Sequence, residues 1–428
     1  MKVSPARRAA FEILNRIEVD RAFSSVLLPQ YEAELSQADR GLCHELVLGV
    51  LRRQIYLDKI IERFSGSKKL DVAVRNSMRL GAYQIMHLDK VPSYSAINES
   101  VNLVQVAGKT SAKGFVNAIL RRISEKVPTL EFADDVERVS VETSHPRWLV
   151  EKWIADFGFR EAEQIAAANN AIPNVAFRAA GVGVLSETNY QPSELVEGAF
   201  IAPSIDQDLR EKADAGEIYF QDEASQLVAH IASSKPNGSF LDVCAAPGGK
   251  TTQVARKYRG IAGTLMVAGD LHESRVKLLQ STCERQKLDL VNIVQYDAET
   301  ALPFAHETFD TVLVDAPCSG TGTIRHNPEI RYLLRPDDFA KLAAKQRAIL
   351  KNASCLVRRG GQLIYSTCSI QTEENEDVIR GFLQESPAFS LRQPGVPRRL
   401  LTDDGFARTF PHRDSTDGFF IAVLDRLT

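Results

Sequence analysis

Two cysteines and one aspartate stand in polar loops that each follow an apolar run. Asp315 and Cys318 lie in the segment Val312–Gly322 (VLVDAPCSGTG), and Cys368 lies in Ile364–Ser369 (IYSTCS). A thiolate is a strong nucleophile, and a carboxylic acid can donate a proton to a ring under attack. These side-chain types therefore suit nucleophilic catalysis coupled to proton transfer.

One reaction that needs such a set is substitution at carbon-5 of a cytosine, which is a poor nucleophile by itself. Addition of a thiolate to carbon-6 turns the ring into an enamine, and carbon-5 can then attack an electrophilic methyl group. Asp315 suits the proton or strong hydrogen bond that ring nitrogen-3 needs during the addition. A second thiol can assist the loss of the carbon-5 proton and the expulsion of the first thiol.

The other cysteines indicate neither a zinc site nor a disulfide scaffold. The chain has six cysteines at long, irregular spacings and no Cys-x-x-Cys pair, so we expect reduced thiols in the cytosol and no metal. Cys43, Cys283 and Cys355 lie inside helical patterns, and we predict that they are small buried apolar residues.

A glycine loop joins the first buried strand to a helix in the segment Leu241–Thr252 (LDVCAAPGGKTT). Small residues let the backbone approach a ligand, and the N-terminus of the following helix favours an anionic group. A nucleoside triphosphate is one candidate ligand, because Lys250 and Thr251 fit a phosphate loop; Cys244, however, replaces its first glycine.

The second candidate ligand is a dinucleotide-like molecule with a small carboxylate head. Such a ligand needs an acidic residue at the tip of the second strand to hold ribose hydroxyls, and Asp270 stands there, 20 residues after Lys250. Asp297 follows the third strand and is placed near the base. The predicted cofactor contacts are Cys244, Ala245, Ala246, Pro247, Gly248, Gly249, Lys250, Asp270, Asp297 and Asp315.

Alternating strands and helices position these loops. Buried-strand runs at 239–243, 264–270, 291–297, 311–315 and 361–368 alternate with helical stretches at 251–258, 273–286, 336–357 and 372–384. This alternation predicts a parallel sheet covered by helices, with ligands at the carboxyl ends of its strands. Residues 406–410 and 419–424 predict an antiparallel hairpin at the sheet edge.

The preceding residues have a different pattern. Apolar residues recur at three- and four-residue steps from Arg8 to Ser124, which predicts an all-α bundle, and residues 127–143 resemble a linker. Short helical and strand-like stretches then predict a small α+β segment. The expected domains are residues 1–140, 141–230 and 231–428.

Charge separates these regions. Residues 1–126 carry 20 Lys+Arg and 13 Asp+Glu, whereas the remainder is acidic and the whole chain has a net charge of −3. A basic first third favours a polyanionic partner. No apolar run approaches the length of a membrane span, so we expect a cytoplasmic protein with no membrane partner.

The loop motifs resemble those of the RNA cytosine-5 methyltransferases that use S-adenosylmethionine. The motifs are Asp242–Lys250 (DVCAAPGGK), Asp315–Gly322 (DAPCSGTG) and Ser366–Ser369 (STCS), in this order. The resemblance implies that Cys368 is the nucleophile, that Cys318 assists product release, and that Asp270, Asp297 and Asp315 contact S-adenosylmethionine.

The helical region extends this resemblance. The segments Ala96–Val101 (AINESV) and Gly114–Arg121 (GFVNAILR) resemble the NusB-type RNA-binding domain. NusB joined to a Rossmann-like α/β methyltransferase domain is the architecture of the bacterial small-subunit ribosomal RNA cytosine-5 methyltransferase B family. The resemblance implies 16S ribosomal RNA as partner; we expect no DNA partner and a monomer.

Several alternatives remain open from the sequence. The catalytic motifs do not choose the RNA, so a transfer-RNA cytosine-5 methyltransferase is the enzymatic alternative. An RNA-binding assembly factor that merely binds cofactor is the non-enzymatic one, and an ATPase ranks last because of Cys244. The predicted phosphate contacts are Lys109, Lys113, Arg121, Arg122 and Arg178.

Overall fold

The computed structural model describes residues 3–66, 69–181, 190–234 and 238–427. It divides the chain into two compact units. The helical unit comprises Met1–Ala171 and Ile324–Leu334, and the sheet unit comprises Ile172–Thr323 and Arg335–Thr428.

The helices of the described residues run in chain order as follows: α1 (Pro5–Asp20), α2 (Ser24–Glu32), α3 (Gln37–Arg52), α4 (Gln54–Ser65), α5 (Val72–His87), α6 (Ser93–Val106), α7 (Lys113–Glu125), α8 (Asp135–Glu142), α9 (Arg147–Phe157), α10 (Phe159–Ala168), α11 (Gln207–Asp214), α12 (Glu223–Ala232), α13 (Gly249–Tyr258), α14 (Glu273–Arg285), α15 (Ile330–Leu333), α16 (Asp338–Ser354), α17 (Glu376–Glu385) and α18 (Pro411–Asp414). The strands are β1 (Val175–Ala179), β2 (Gln191–Pro192), β3 (Ala199–Ala202), β4 (Ile218–Phe220), β5 (Ser239–Asp242), β6 (Leu265–Asp270), β7 (Val291–Gln295), β8 (Phe309–Asp315), β9 (Val357–Thr367), β10 (Phe389–Arg392), β11 (Ala407–Arg408) and β12 (Phe420–Arg426).

The helical unit packs around the apolar faces of α1, α3, α5 and α7. Their buried residues recur with helical spacing, as in the series Ile13, Leu14 and Ile17 of α1, so each helix turns one stripe toward the core. Side-chain caps begin several of the helices; the carboxylate of Asp71, for example, accepts from the Ala73 amide at the start of α5.

A short segment from late in the chain completes the helical unit. Glu329 accepts hydrogen bonds from the amide and hydroxyl of Ser24 at 2.7 and 2.9 Å. The guanidinium of Arg331, fully buried, donates to the carbonyls of Thr143 and Asn169 and to the side chain of Asn170. A buried guanidinium needs such partners, so residues 324–334 are an integral part of this core.

Two sheets form the sheet unit. The smaller is antiparallel with strand order β2-β3-β1-β4. The larger has the order β10-β12-β9-β8-β5-β6-β7, and β11 pairs with β12 outside this path. Strands β9, β8, β5, β6 and β7 are mutually parallel, so their carboxyl ends share one edge, where the glycine loop and both cysteine loops begin.

The fold class is the predicted one: a helical N-terminal region is followed by an α/β region with a largely parallel sheet. Two local predictions were wrong. Helix α8 occupies much of the predicted linker, because the Asp134 carboxylate caps it and Val139 and Val141 bury its inner face. Strand β12 pairs with β11 as predicted but lies between β9 and β10, so it is not an edge strand.

The compact units also divide the chain differently from the three predicted domains. Helices α9 and α10, expected in the second domain, belong to the helical unit, and residues 324–334, expected in the third domain, join them there. Within the described ranges, every helix is too short or too polar to traverse a lipid bilayer.

Candidate active site

Strands β8 and β9 bring the two predicted sulfurs together. The strands are parallel neighbours with Asp315 opposite Ser366, so the loops after them leave the sheet side by side. The Sγ atoms of Cys318 and Cys368 lie 3.4 Å apart, and both side chains are half-buried. The hydrogen bond with Cys368, together with burial, raises the pKa of the Cys318 thiol well above its ordinary value.

Asp315 is held at both carboxylate oxygens. One oxygen accepts from the Lys250 ammonium at 2.7 Å, and the other accepts from the Ser366 hydroxyl at 2.7 Å. Burial lowers the pKa of Lys250, but the attraction of Asp315 outweighs it and leaves that pKa above its usual value. Lys250 also lies 5.1 Å from the centre of the Phe419 ring, so the ion pair is fixed in place.

The glycine loop turns tightly between β5 and α13. Gly248 has a φ of 104°, and a Cβ there would lie 2.9 Å from Leu279, so no other residue fits without strain. The Asp270 carboxylate, at the end of β6, accepts from the Ala246 amide at 3.1 Å and from Arg275 at 3.0 Å. The second strand tip therefore fixes the loop directly.

An open cavity of about 430 Å³ lies along these strand ends. Its lining includes the predicted residues Cys244, Ala246, Asp270, Asp297, Asp315, Cys318 and Cys368. The structure therefore brings the predicted strand-tip carboxylates and both thiols to one cavity. Ala245, Pro247, Gly249 and Lys250 line an adjoining pocket with Asp315, and Gly248 is the N-cap of α13 behind it.

The carboxylates that line this cavity fit S-adenosylmethionine and do not fit a triphosphate. Asp270, Asp297 and Asp315 offer acceptors to ribose hydroxyls, an amine and a cationic sulfonium, whereas they would repel phosphates. Lys250, the residue that a phosphate loop would aim at its ligand, is committed to Asp315. The position of Cys244 in the loop and this ion pair both disfavour ATP.

The sequence predictions did not include Asp242 and Ser366 among the site residues. Asp242 ends β5 and is fully buried; burial raises the pKa of its carboxyl to about 7 even though the Thr251 hydroxyl donates to it. The sequence did contain a signal for Asp242, because it ends the first strand of the predicted sheet as Asp270 ends the second. Ser366 gave no such signal, because only the register of β8 and β9 brings it to Asp315.

The predicted phosphate contacts fall into two groups. Lys109, Lys113, Arg121 and Arg122 lie on or beside α7; Arg121 and Arg122 are exposed, while Lys109 forms an ion pair with Asp71 at 2.8 Å. Arg178 is a correction, because its guanidinium is buried. It donates to the Gly249 carbonyl and to the Thr252 hydroxyl, so it stabilises the glycine loop from β1.

Prediction and structure also differ for one outlying cysteine. Cys43 and Cys283 are buried as expected, but Cys355 is exposed at the C-terminal end of α16. All six cysteines are free thiols.

Family models match three parts of the chain. Residues 229–425 match the model of the 16S rRNA methyltransferase RsmB/F, and residues 4–125 match the NusB family. Residues 145–180 match the RsmF/B-like ferredoxin-like domain.

Relatives match over nearly the full length. A Bacillus subtilis protein named "Probable ribosomal RNA small subunit methyltransferase B" is 36% identical over 99% of both chains. A Pseudomonas putida protein named "Ribosomal RNA small subunit methyltransferase B" is 32% identical over 98% of both. The crystal structure of PH0851 is similar with a TM-score of 0.83 and 27% identity, covering 100% of each chain. With these relatives matched from end to end, the chain belongs to the ribosomal RNA small subunit methyltransferase B family.

Proposed function

We propose that the protein methylates carbon-5 of a cytosine in 16S ribosomal RNA, with S-adenosylmethionine as donor and Cys368 as covalent nucleophile. One observation carries the proposal: two thiols 3.4 Å apart stand beside a carboxylate at the edge of a cavity lined by further strand-tip carboxylates. The family membership and the relatives' names support the choice of ribosomal RNA.

The first step is addition of the Cys368 thiolate to carbon-6. A sulfur–carbon bond forms, the carbon-5–carbon-6 double bond opens, and negative charge develops over carbon-5 and ring nitrogen-3. Asp315 bridges to the Lys250 ammonium, so this pair holds the proton that nitrogen-3 must share as the charge develops. Stabilising that charge is the task of Lys250 and Asp315.

The later steps restore the aromatic ring. Asp270, Asp297 and the glycine loop would hold S-adenosylmethionine, which would supply an electrophilic methyl group and depart as the neutral thioether. Once carbon-5 carries the methyl group, the Cys318 thiol gives its proton to the departing Cys368 sulfur, which lies 3.4 Å away, and takes the carbon-5 proton in its place. The electrons of the carbon-5–hydrogen bond then re-form the double bond as the sulfur–carbon bond breaks.

The target cytosine must be accessible both at its ring face, where the thiolate attacks carbon-6, and at its ring edge, where nitrogen-3 lies. A cytosine stacked in a helix cannot be attacked at carbon-6, so the target nucleotide is either unpaired or turned out of its stack. The exposed arginines of α7, Arg121 and Arg122, supply positive charge for the phosphate backbone.

The experiment is methyl transfer from labelled S-adenosylmethionine to unmodified small-subunit RNA. The wild-type protein should label cytosine, and Cys368→Ala should abolish labelling. Cys355→Ala is the matched control, because it removes an exposed thiol that lies outside the cavity, and it should retain the wild-type rate. Full activity of Cys368→Ala would refute the nucleophile assignment.

Bisulfite sequencing of RNA from a deletion strain tests the substrate. Loss of one 5-methylcytosine from 16S ribosomal RNA, with transfer RNA unchanged, is expected. Loss of a transfer-RNA signal instead would replace the proposed substrate while leaving the chemistry intact.

A further inference from the structure

A fully buried carboxylate lies behind the two thiols and has no part in the mechanism above. Glu374 ends a short 3-10 helix, Thr372–Glu374, and has no exposed surface. Its carboxylate accepts four hydrogen bonds: from the Ser319 amide at 2.8 Å, the Ser319 hydroxyl at 2.5 Å, the Ser369 hydroxyl at 2.5 Å and the Gln346 side chain at 3.0 Å. Such a complete set of donors suits the charged form of the group.

The donors are informative because of where they stand in the chain. Ser319 directly follows Cys318, and Ser369 directly follows Cys368. One carboxylate thus joins the loop after β8 to the loop after β9, each at the residue next to its sulfur. The two serine hydroxyls also lie 3.0 Å from each other, so the separation of the loops is fixed at this point.

Neighbouring side chains hold the carboxylate itself in place. The Tyr365 hydroxyl donates to the Glu374 carbonyl at 2.6 Å. Asn375 donates to the Ser369 carbonyl at 2.8 Å and accepts from the Thr367 hydroxyl at 2.6 Å. The side chain of Glu374 therefore has one available position, and so do the loops that it binds.

The thiol pair lies in an asymmetric electrostatic environment. Among the described residues, no lysine or arginine forms an ion pair with Glu374, so its negative charge is balanced only by dipoles. After the hydrogen bond with Cys368, burial and the charge of Cys368, the charge of Glu374 is a further cause of the raised pKa of Cys318. The Lys250 ammonium interacts electrostatically with Cys368. Glu374 thus opposes a negative charge at Cys318, and the Lys250 ammonium attracts one at Cys368.

We propose that Glu374 is a positioning residue that makes the two thiols unequal: it clamps their loops at a fixed separation and sets its negative charge against ionisation of Cys318, so that Cys368 is the sulfur that attacks. This inference rests on the proposed function only for the roles of the two sulfurs. It explains how one of two adjacent thiols becomes the nucleophile while the other stays protonated until a proton must move.

The test compares how fast each sulfur is alkylated. Iodoacetamide reacts with thiolates, so at low conversion the ratio of alkylated Cys368 to alkylated Cys318, read by peptide mass spectrometry, reports which sulfur carries the negative charge. In the wild-type protein the ratio should favour Cys368. In Glu374→Gln, which keeps the size of the side chain and removes its charge, the ratio should fall by about tenfold, because the negative charge that opposes a thiolate at Cys318 is then gone.

The matched control is Glu376→Gln. Glu376 is a buried acid two residues away whose carboxylate accepts from Arg408 at 2.7 Å, whereas the Ser319 and Ser369 hydroxyls donate to Glu374. This variant should lose stability while keeping the wild-type alkylation ratio. An unchanged ratio in folded Glu374→Gln, or an equal fall in the control, would overturn the inference.

Ser369→Ala keeps the test decisive if Glu374→Gln fails to fold. It removes the link to the Cys368 loop and leaves the carboxylate charge in place, so the alkylation ratio should stay high while kcat for methyl transfer falls with KM for S-adenosylmethionine unchanged. A full kcat would refute the clamp. The alkylation ratio needs neither RNA nor cofactor, so it can succeed or fail independently of whether the protein methylates 16S ribosomal RNA.

Discussion

Cys318 and Cys368 have the same chemistry and lie within van der Waals reach of each other, so their surroundings decide their roles. Lys250 pairs with Asp315, which is opposite Ser366 near the end of β9, and Glu374 accepts from the residue that follows each cysteine. Substitution of Cys368 should block the addition step, whereas substitution of Cys318 should block the release step. The two variants should therefore differ in the species that accumulates.

Cys318→Ala should trap the covalent intermediate. Without the second thiol, addition to carbon-6 and methyl transfer proceed, but loss of the carbon-5 proton and expulsion of Cys368 slow down. We expect an RNA–protein adduct that survives denaturing electrophoresis. The double variant Cys318→Ala/Cys368→Ala should give no adduct; an adduct in the double variant, or none in the single one, would contradict the release role.

Asp242→Asn should change how stability depends on pH. Burial raises the pKa of Asp242 to about 7 in the folded protein. In the unfolded chain this carboxyl loses its proton at the ordinary pKa of an aspartate, so the folded protein retains the proton to a higher pH. The contribution of this retained proton to the free energy of unfolding is fully present below about pH 4 and is lost as pH rises through about 7. Asparagine has no such proton, so the variant should gain about 4 kcal/mol relative to wild type between about pH 4 and 8. Urea unfolding at both limits measures this; a pH-independent difference would refute it.

Strand register accounts for much of the site, and the register could not be read from the sequence. The apolar runs correctly predicted β5 to β9 and their helices, since each run is a strand ending in a polar residue; all of these strands except β7, which is partly exposed, are mostly buried. They could not predict that Asp315 faces Ser366, or that Lys250 reaches Asp315, because both depend on which strands become neighbours. Strand β10 was missed because its four residues carry no distinctive pattern.

Arg178 illustrates a second limit of the sequence. Arg178 is among the predicted phosphate contacts, yet its position in β1 places its guanidinium over Tyr219 and against the start of α13. Burial lowers the pKa of Arg178 to about 9. The side chain therefore acts on the cofactor loop through the backbone of α13.

Arg178→Ala should weaken S-adenosylmethionine binding about tenfold, a loss of about 1.4 kcal/mol. Its guanidinium holds the Gly249 carbonyl and the Thr252 hydroxyl at the first turn of α13, and the loop before that turn lines the cavity. Arg256→Ala is the control, because Arg256 links the same helix to the Ala180 carbonyl away from the loop. Calorimetry should show unchanged affinity for the control; equal losses in both variants would indicate general destabilisation.

Charge distribution along the chain leads to a prediction about RNA. Arg121 and Arg122 are exposed on α7, whereas Lys109 is paired with Asp71, so of these three residues we expect the arginines to release more counterions from phosphates. Arg121→Ala/Arg122→Ala should weaken binding of all RNA sequences and reduce the slope of log K against log salt by about 1 to 2. Lys109→Ala should reduce it less. Filter binding at several salt concentrations measures the slopes, and an unchanged slope in the double variant would exclude these residues.

The order of the regions was predictable from composition and periodicity, but their boundaries were not. Residues 324–334 follow β8 in a stretch that carries the sheet pattern on both sides, and nothing in their sequence shows that Arg331 is buried against Asn169 and Asn170. Contacts between residues more than 150 positions apart leave no local periodicity. Such contacts are therefore visible only in the folded chain.

That late segment has a consequence for synthesis on the ribosome. The first 171 residues leave the exit tunnel long before Glu329 and Arg331. Ser24 and the carbonyls of Thr143 and Asn169 therefore lack these hydrogen-bond partners until about 160 more residues have been translated. At roughly 5–20 residues per second this delay is on the order of ten to thirty seconds. During that interval the core of the nascent helical bundle lacks residues 324–334, and it is completed only when they have been translated.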